Sequence, residues 1–267
     1  MAVMRQHKGA LHRSAPFALW RLLLPLLLLG AAQPAGAECP TGRVDAEVAV
    51  SYVYDGDTVR LDGGTRLRFI GINTPEIDHE GGRSEPYAMA ARKRVQQLLD
   101  DGRLRIRYGV ERRDRYGRLL GHPYLADGRS LNVLLLQEGL ATTLVVPPNT
   151  WNHECYQAAE KRARAARTGI WSVERYRPVT PERLGKGGQG FRLVAAVVEE
   201  VLESRNSVWL ELEGPMALRI PREDLPQFSG MELKALAGQR IVARGWPHYH
   251  KGKWRMTVRH PAALEFD

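Results

Sequence analysis

Tyr54-Asp55-Gly56-Asp57-Thr58-Val59 and, a few residues later, Arg68-Phe69-Ile70-Gly71-Ile72-Asn73-Thr74-Pro75-Glu76 decide how this chain is read. The run Val48 to Tyr54 before them reads as a strand, and Asp55-Gly56-Asp57 is a turn. Thr58-Val59-Arg60-Leu61 is a second strand, closed by the hairpin turn Asp62-Gly63-Gly64. Thr65 to Ile72 reads as a third strand. Pro75 then ends sheet pairing, because proline has no N–H to donate to a neighbouring strand. A polar loop is expected over residues 77–84.

Beyond that loop the period changes. From Glu85 to Asp100 the residues Ala88, Ala91, Val95, Leu98 and Leu99 share one helical face. Leu104 to Val110 and Arg118 to Ala126 read as strands flanking Asp114-Arg115-Tyr116-Gly117. A short helix over Leu131 to Leu140 closes at Gly139, and Pro147-Pro148-Asn149 opens a third helix over residues 151–167. Five strands with three helices predict an α+β, mostly β unit: an OB-type five-stranded barrel with helices around it. Residues 173–190 hold Pro178, Pro181, Gly185, Gly187, Gly188 and Gly190, the composition of a linker. Short strands are expected again at 194–201, 208–212, 217–220, 240–246 and 254–258, with a helix-like stretch at 225–236. These suggest a second small OB-like β-barrel. The predicted organisation is therefore 1–37, 38–172, 173–190 and 191–267.

The first of these segments is expected to be a Sec-type signal peptide. Arg5, Lys8 and Arg13 precede an apolar stretch, Phe17 to Trp20, interrupted by Arg21 and resumed from Leu22 to Leu29, and Ala35-Gly36-Ala37 supplies small residues for cleavage before Glu38. The uninterrupted apolar core is short of the roughly 20 residues that span a bilayer, so no stable membrane insertion is expected after cleavage. A periplasmic or secreted protein follows. Its two cysteines, Cys39 and Cys155, then predict a disulfide, for which only one connectivity exists.

The chain has 267 residues, 43% hydrophobic and 26% charged, which excludes a disordered protein. Its formal net charge is +9, of which four positive charges (Arg5, Lys8, Arg13, Arg21) belong to the expected signal segment. The remaining surplus is mild. It is compatible with a polyanionic partner without requiring one.

Hydrolysis of a phosphodiester builds negative charge on phosphate oxygens. It calls for a hard cation held by carboxylates, for guanidinium groups, and for one more carboxylate to orient or deprotonate water. The sequence offers this set: Asp57 after a tight turn, Arg68 on the third strand, Glu76 beyond its end, and Arg118 after Asp114-Arg115-Tyr116-Gly117. Taken singly, each has a plain explanation as a turn residue, a surface arginine or a strand end.

Taken in this order and spacing, the three stretches resemble the staphylococcal nuclease family. Asn132, Gly139-Leu140-Ala141 and Gly169-Ile170-Trp171-Ser172 extend the likeness. The resemblance implies a nuclease that cleaves DNA and RNA with little sequence preference and leaves 3′-phosphate ends. It implies Asp57 as a calcium ligand and Thr74 as the donor of a backbone carbonyl to the same Ca2+, with Asp55 supporting the site. Arg68 and Arg118 would grip the scissile phosphate, and Glu76 would act as general base. Two departures stand out. Asn73 occupies a position where the family usually has Asp; its carbonyl oxygen can still serve a hard ion. After Ala141, where the archetype carries tyrosines that pack on the nucleotide, this chain has Val145 and Pro147.

Three readings remain at this point: a calcium-dependent nuclease, a nucleic-acid-binding module on a nuclease-like barrel, and a structural or envelope interaction protein. A monomer acting on DNA or RNA is expected for the first. In the C-terminal part, Trp246-Pro247-His248-Tyr249-His250-Lys251-Gly252-Lys253-Trp254-Arg255 mixes aromatic and basic residues. It suits single-strand binding or simply a hairpin with a charged tip. His248 and His250 offer too few convergent ligands to be assigned a metal.

Overall fold

Alternating apolar residues bring the early strands together around one interior. A computed structural model describes residues 39–185 and 190–266; the expected signal segment, 1–37, lies outside the described residues. The order is β1 (Ala46–Val53), β2 (Thr58–Leu61), β3 (Arg66–Phe69), β4 (Gly71–Asn73), α1 (Ala88–Leu98), β5 (Arg103–Arg113), β6 (Leu119–Tyr124), α2 (Leu131–Gln137), β7 (Thr142–Leu144) and α3 (His153–Ala165). Strands β1-β2-β3-β6-β5 close into a barrel. Val59, Leu61, Leu67, Phe69, Leu104 and Ile106 fill it from alternate positions along their strands. The β3–β6 pair is parallel and sets Arg68 opposite Leu120. The hairpin β2–β3 sets Arg68 opposite Thr58, one residue from Asp57.

The expected third strand is broken in two. At Gly71 the backbone takes φ +92°, and a β-carbon there would lie 2.4 Å from the Tyr156 ring. Only glycine tolerates both the positive φ and the close approach. The bend releases β4 from the barrel. It pairs instead with β7, a strand not expected from the sequence, with Asn73 opposite Thr142. Asn132, fully buried on α2, donates from Nδ2 to the Ile70 carbonyl at 2.8 Å and holds this bend. The third helix starts later than expected, at His153. Residues 146–149 form a turn instead, with Val146 bridged to Asn149.

The segment expected as a linker is ordered where it is described. Glu174–Tyr176 and Pro181–Leu184 form 3-10 turns, and Tyr176, Pro181 and Leu184 are buried. The C-terminal part is β-rich: β8 (Arg192–Glu203), β9 (Ser207–Leu212), β10 (Met216–Pro221), β11 (Arg240–Gly245), β12 (His248–His250), β13 (Lys253–Thr257) and β14 (Leu264–Phe266). They form one seven-stranded sheet in the order β12-β13-β10-β9-β8-β11-β14. The stretch expected as helix-like breaks into 3-10 turns at Arg222–Phe228 and Leu233–Leu236, the first containing Pro226.

The barrel and this sheet each have an apolar core. A third cluster joins them: Ala163, Ile170 and Trp171 from the end of the first part meet Phe191, Leu193, Ala195 and Val242 from the second. The two pack as one compact unit.

Cys39 and Cys155 are bonded, with Cα atoms 5.6 Å apart and a sequence separation of 116. The bond ties the segment before β1 to the first turn of α3. Loop-closure entropy for a loop of this length is worth about 4–5 kcal/mol. The Cys155→Ser variant is therefore expected to unfold at a clearly lower urea concentration than the oxidised protein. An unchanged midpoint would refute a stabilising role.

Candidate active site

The Asp55-Gly56-Asp57 turn is fixed by what lies against it. A β-carbon on Gly56 would sit 2.6 Å from Thr74 Cγ2 and 2.7 Å from Ala91 Cβ, so α1 and the 74–76 segment press directly on the turn backbone. Asp57 is 3% exposed. Its Oδ2 accepts from the Thr74 backbone N–H at 2.7 Å and from the Thr74 hydroxyl at 3.0 Å. Its Oδ1 meets Arg68 Nη1 at 2.9 Å and accepts from the Thr58 hydroxyl at 3.1 Å. One carboxylate thus joins the turn, β3 and the segment leaving β4.

Arg68 is held by several acceptors. Nη1 donates to the Phe69 carbonyl at 2.8 Å, and Nη2 donates to Asn73 Oδ1 at 3.2 Å. Asn73 in turn donates from Nδ2 to the Thr74 carbonyl at 3.1 Å. Asp55 lies beside this group, its carboxylate accepting from the Asp57 N–H at 2.9 Å. Burial, and then the neighbouring Asp57 charge, push the Asp55 carboxyl up to about 7.

Glu76 is exposed, and its backbone is clamped at both ends of the loop that follows. Its N–H donates to Glu85 Oε2 at 3.1 Å, and its carbonyl accepts from the Glu85 N–H at 2.9 Å. Glu85 is gripped by Arg175. Loss of water among the surrounding walls, followed by the charges of Asp57 and Glu85, raises the Glu76 carboxyl above its ordinary range; Arg68 and Arg118 oppose the shift. Both guanidinium groups therefore act on this one carboxylate.

Arg118 is positioned by Asp114. The Asp114 carboxylate accepts from Arg118 Nε at 2.7 Å, from the Arg118 N–H at 3.0 Å and from the Tyr116 N–H at 2.9 Å. Burial would raise the Asp114 carboxyl, but these bonds outweigh it and hold it low. Engaging Nε leaves the two terminal nitrogens of Arg118 for an anion, the fork that matches phosphate oxygens.

Arg68, Asn73, Glu76, Asp114 and Arg118 line one cleft of about 590 Å³. Asp57 and Thr74 lie buried beside it, bonded to Arg68 and Asn73. Oxygens of Asp57, Asn73 and the Thr74 carbonyl belong to one hydrogen-bonded group around Arg68, donors of the kind a hard divalent cation takes. Among the described residues no three His, Cys, Asp or Glu side chains group to hold a metal.

Several lining residues were not assigned to this site from the sequence. Glu111 and Asn149 are tied by two bonds, Glu111 N–H to Asn149 Oδ1 at 3.0 Å and Asn149 Nδ2 to the Glu111 carbonyl at 3.1 Å. Tyr116, Leu144 and Val146 add an apolar rim, and Trp246 arrives from the C-terminal sheet. The Tyr-Gly of the 114–118 turn was a visible signal for Tyr116. No local pattern marks Trp246 as a cleft residue.

Comparison with known proteins points to one family. Residues 66–173 match the family model described as staphylococcal nuclease homologue. The thermonuclease of Staphylococcus intermedius is 36% identical over 125 residues, covering 46% of this chain and 74% of that protein. Two Bacillus subtilis proteins also match. The SPbeta prophage-derived endonuclease YokF is 35% identical over 135 residues, covering 49% of this chain and 45% of that protein. Endonuclease YncB is 34% identical over 134 residues, covering 48% and 63% respectively. The chain thus spans about half to under two thirds of these two Bacillus relatives. With 74% of the thermonuclease covered at 36% identity, and the family model matching from β3 through the helices, the chain belongs to the staphylococcal nuclease family.

Proposed function

We propose that this protein is an exported, calcium-dependent nuclease that hydrolyses nucleic-acid phosphodiesters with little sequence specificity. The observation that carries the reading is that Arg68, Glu76 and Arg118 share one cleft. In it, Arg118 and Arg68 bind the non-bridging oxygens of the scissile phosphate and stabilise the charge that grows there. Glu76, whose carboxyl is raised above its ordinary range, takes the proton from the attacking water as the water oxygen bonds to phosphorus and the bond to the leaving sugar oxygen breaks. Asp57, Asn73 and the Thr74 carbonyl would hold the ion, with Asp55 behind them. A bound calcium ion would supply further positive charge against the phosphate. Export is supported by the pattern in residues 1–37 and by a disulfide suited to an oxidising compartment.

Digestion of a plasmid with calcium and then with chelator tests this reading. Cleavage should appear with calcium and stop with chelator. Binding without cleavage would instead favour a nucleic-acid-binding module. One observation speaks for that alternative: Asn73 Nδ2 engages the Thr74 carbonyl, the group meant for the ion. An aspartate at 73 could not donate that bond and would add a charge. Asn73→Asp is therefore expected to tighten calcium binding about tenfold, read by calorimetric titration; no gain would remove Asn73 and Thr74 from the ligand set.

A further inference from the structure

Trp246 belongs to the C-terminal sheet, yet its side chain lines the same cleft as Arg68, Glu76 and Arg118. It follows β11 directly. Two residues earlier, Arg244 on that strand reaches across to the first part of the molecule, bonding Glu160 on α3 and the Thr143 hydroxyl on β7 at 2.7–2.9 Å. Side chains two apart on an extended backbone share a face, so the strand that docks Arg244 against the barrel also turns Trp246 toward the cleft. The indole is backed by the buried Phe191, ring centroids 5.3 Å apart in an edge arrangement, and remains 41% exposed. A large aromatic surface fixed on one side and open on the other, in a cleft also lined by Arg68, Arg115 and Arg118, fits a ligand with a flat apolar part joined to a phosphate.

We propose that Trp246 is a base-stacking platform, holding an unpaired nucleobase next to the phosphate bound by Arg68 and Arg118. The C-terminal sheet is then part of the substrate site. This deepens the nuclease reading and rests on it. The ligand is single-stranded nucleic acid, because a base inside a duplex has no free face to offer. Leu144, Val146 and Tyr116 provide the rim; the Tyr116 ring is engaged by the Arg115 and Arg118 guanidinium groups, whereas the Trp246 ring is backed by Phe191 and open on its other side.

The test compares Trp246→Ala and Trp246→Phe with the wild type. On a single-stranded oligonucleotide in calcium, Trp246→Ala should raise KM about tenfold, as loss of one base–aromatic stack predicts. Its kcat should stay within about twofold, and Trp246→Phe should recover most of the loss. Fluorescence anisotropy in chelator supplies a reading independent of cleavage, using an oligonucleotide and an abasic backbone of the same length. Removing the bases should cost the wild type about tenfold more affinity than it costs Trp246→Ala. Equal losses in the two proteins, or an unchanged KM, would overturn the proposal. If the wild type does not cleave at all, the nuclease reading has failed, and the anisotropy comparison still decides the role of Trp246.

Discussion

Arg118→Ala is expected to lower the rate of phosphodiester cleavage about a thousandfold, close to 4 kcal/mol of transition-state stabilisation. The reason lies in how the side chain is prepared. Asp114 holds Nε and the backbone of the same residue, so the guanidinium does not have to be ordered when charge appears on the phosphate. Removing it takes away a fork of two donors from the cleft that also holds Arg68 and Glu76. The fold should survive, because the ion pair and hydrogen bonds of Arg118 stay within its own turn, with Asp114. Arg118→Lys should recover little, since an ammonium group keeps the charge but not the paired geometry. Arg68→Ala is a poorer probe, because it also strips the buried Asp57 of its ion pair and so confounds chemistry with stability. The measurement is kcat on a nucleic-acid substrate beside a thermal melt. Activity within a few-fold of wild type, with an intact melt, would leave the cleft without its assigned chemistry.

The parts of this site that were legible in the sequence are those fixed by short-range geometry. Turn residues and alternation placed Asp57 and Arg68 in neighbouring strands of one hairpin, and the resemblance to the nuclease family joined them into one site. Arg118 could be placed because Asp114-Arg115-Tyr116-Gly117 builds its own turn. Thr65 to Ile72 could not be divided correctly, because the break depends on the Tyr156 ring, which reaches Gly71 from α3 far along the chain. The β4–β7 ribbon was hidden for a related reason: strands of three residues carry too little alternation to be seen. Trp246 was visible only as part of an aromatic and basic run. Its entry into the cleft depends on how the C-terminal sheet docks, and that depends on a bond between residues 84 apart.

That docking bond carries the second large expectation. Arg244 and Glu160 are nearly closed to solvent, with side chains 7% and 4% exposed, and their closest approach is 2.7 Å. Glu160 also accepts from the Thr143 hydroxyl at 2.6 Å, while Glu265 receives Arg244 and Arg164. Burial would raise the Glu265 carboxyl, but the two arginines outweigh it and hold it below its ordinary value. Its contribution to stability is therefore full above about pH 4.5 and is lost as the pH falls through the lowered folded value. Arg244→Met should cost about 3–5 kcal/mol, because it leaves the Glu160 charge buried without a partner. Replacing both residues, Arg244→Met with Glu160→Leu, should recover much of that loss, since the desolvation penalty disappears with the charges. Urea unfolding of the two variants separates these outcomes. A single variant as stable as the wild type would mean that the pair is not buried in solution. Thr143 lies on β7, whose partner β4 carries Asn73, and β11 leads from Arg244 to Trp246. The same substitution should therefore loosen both sides of the cleft, raising KM for single strands even at temperatures where the protein remains folded.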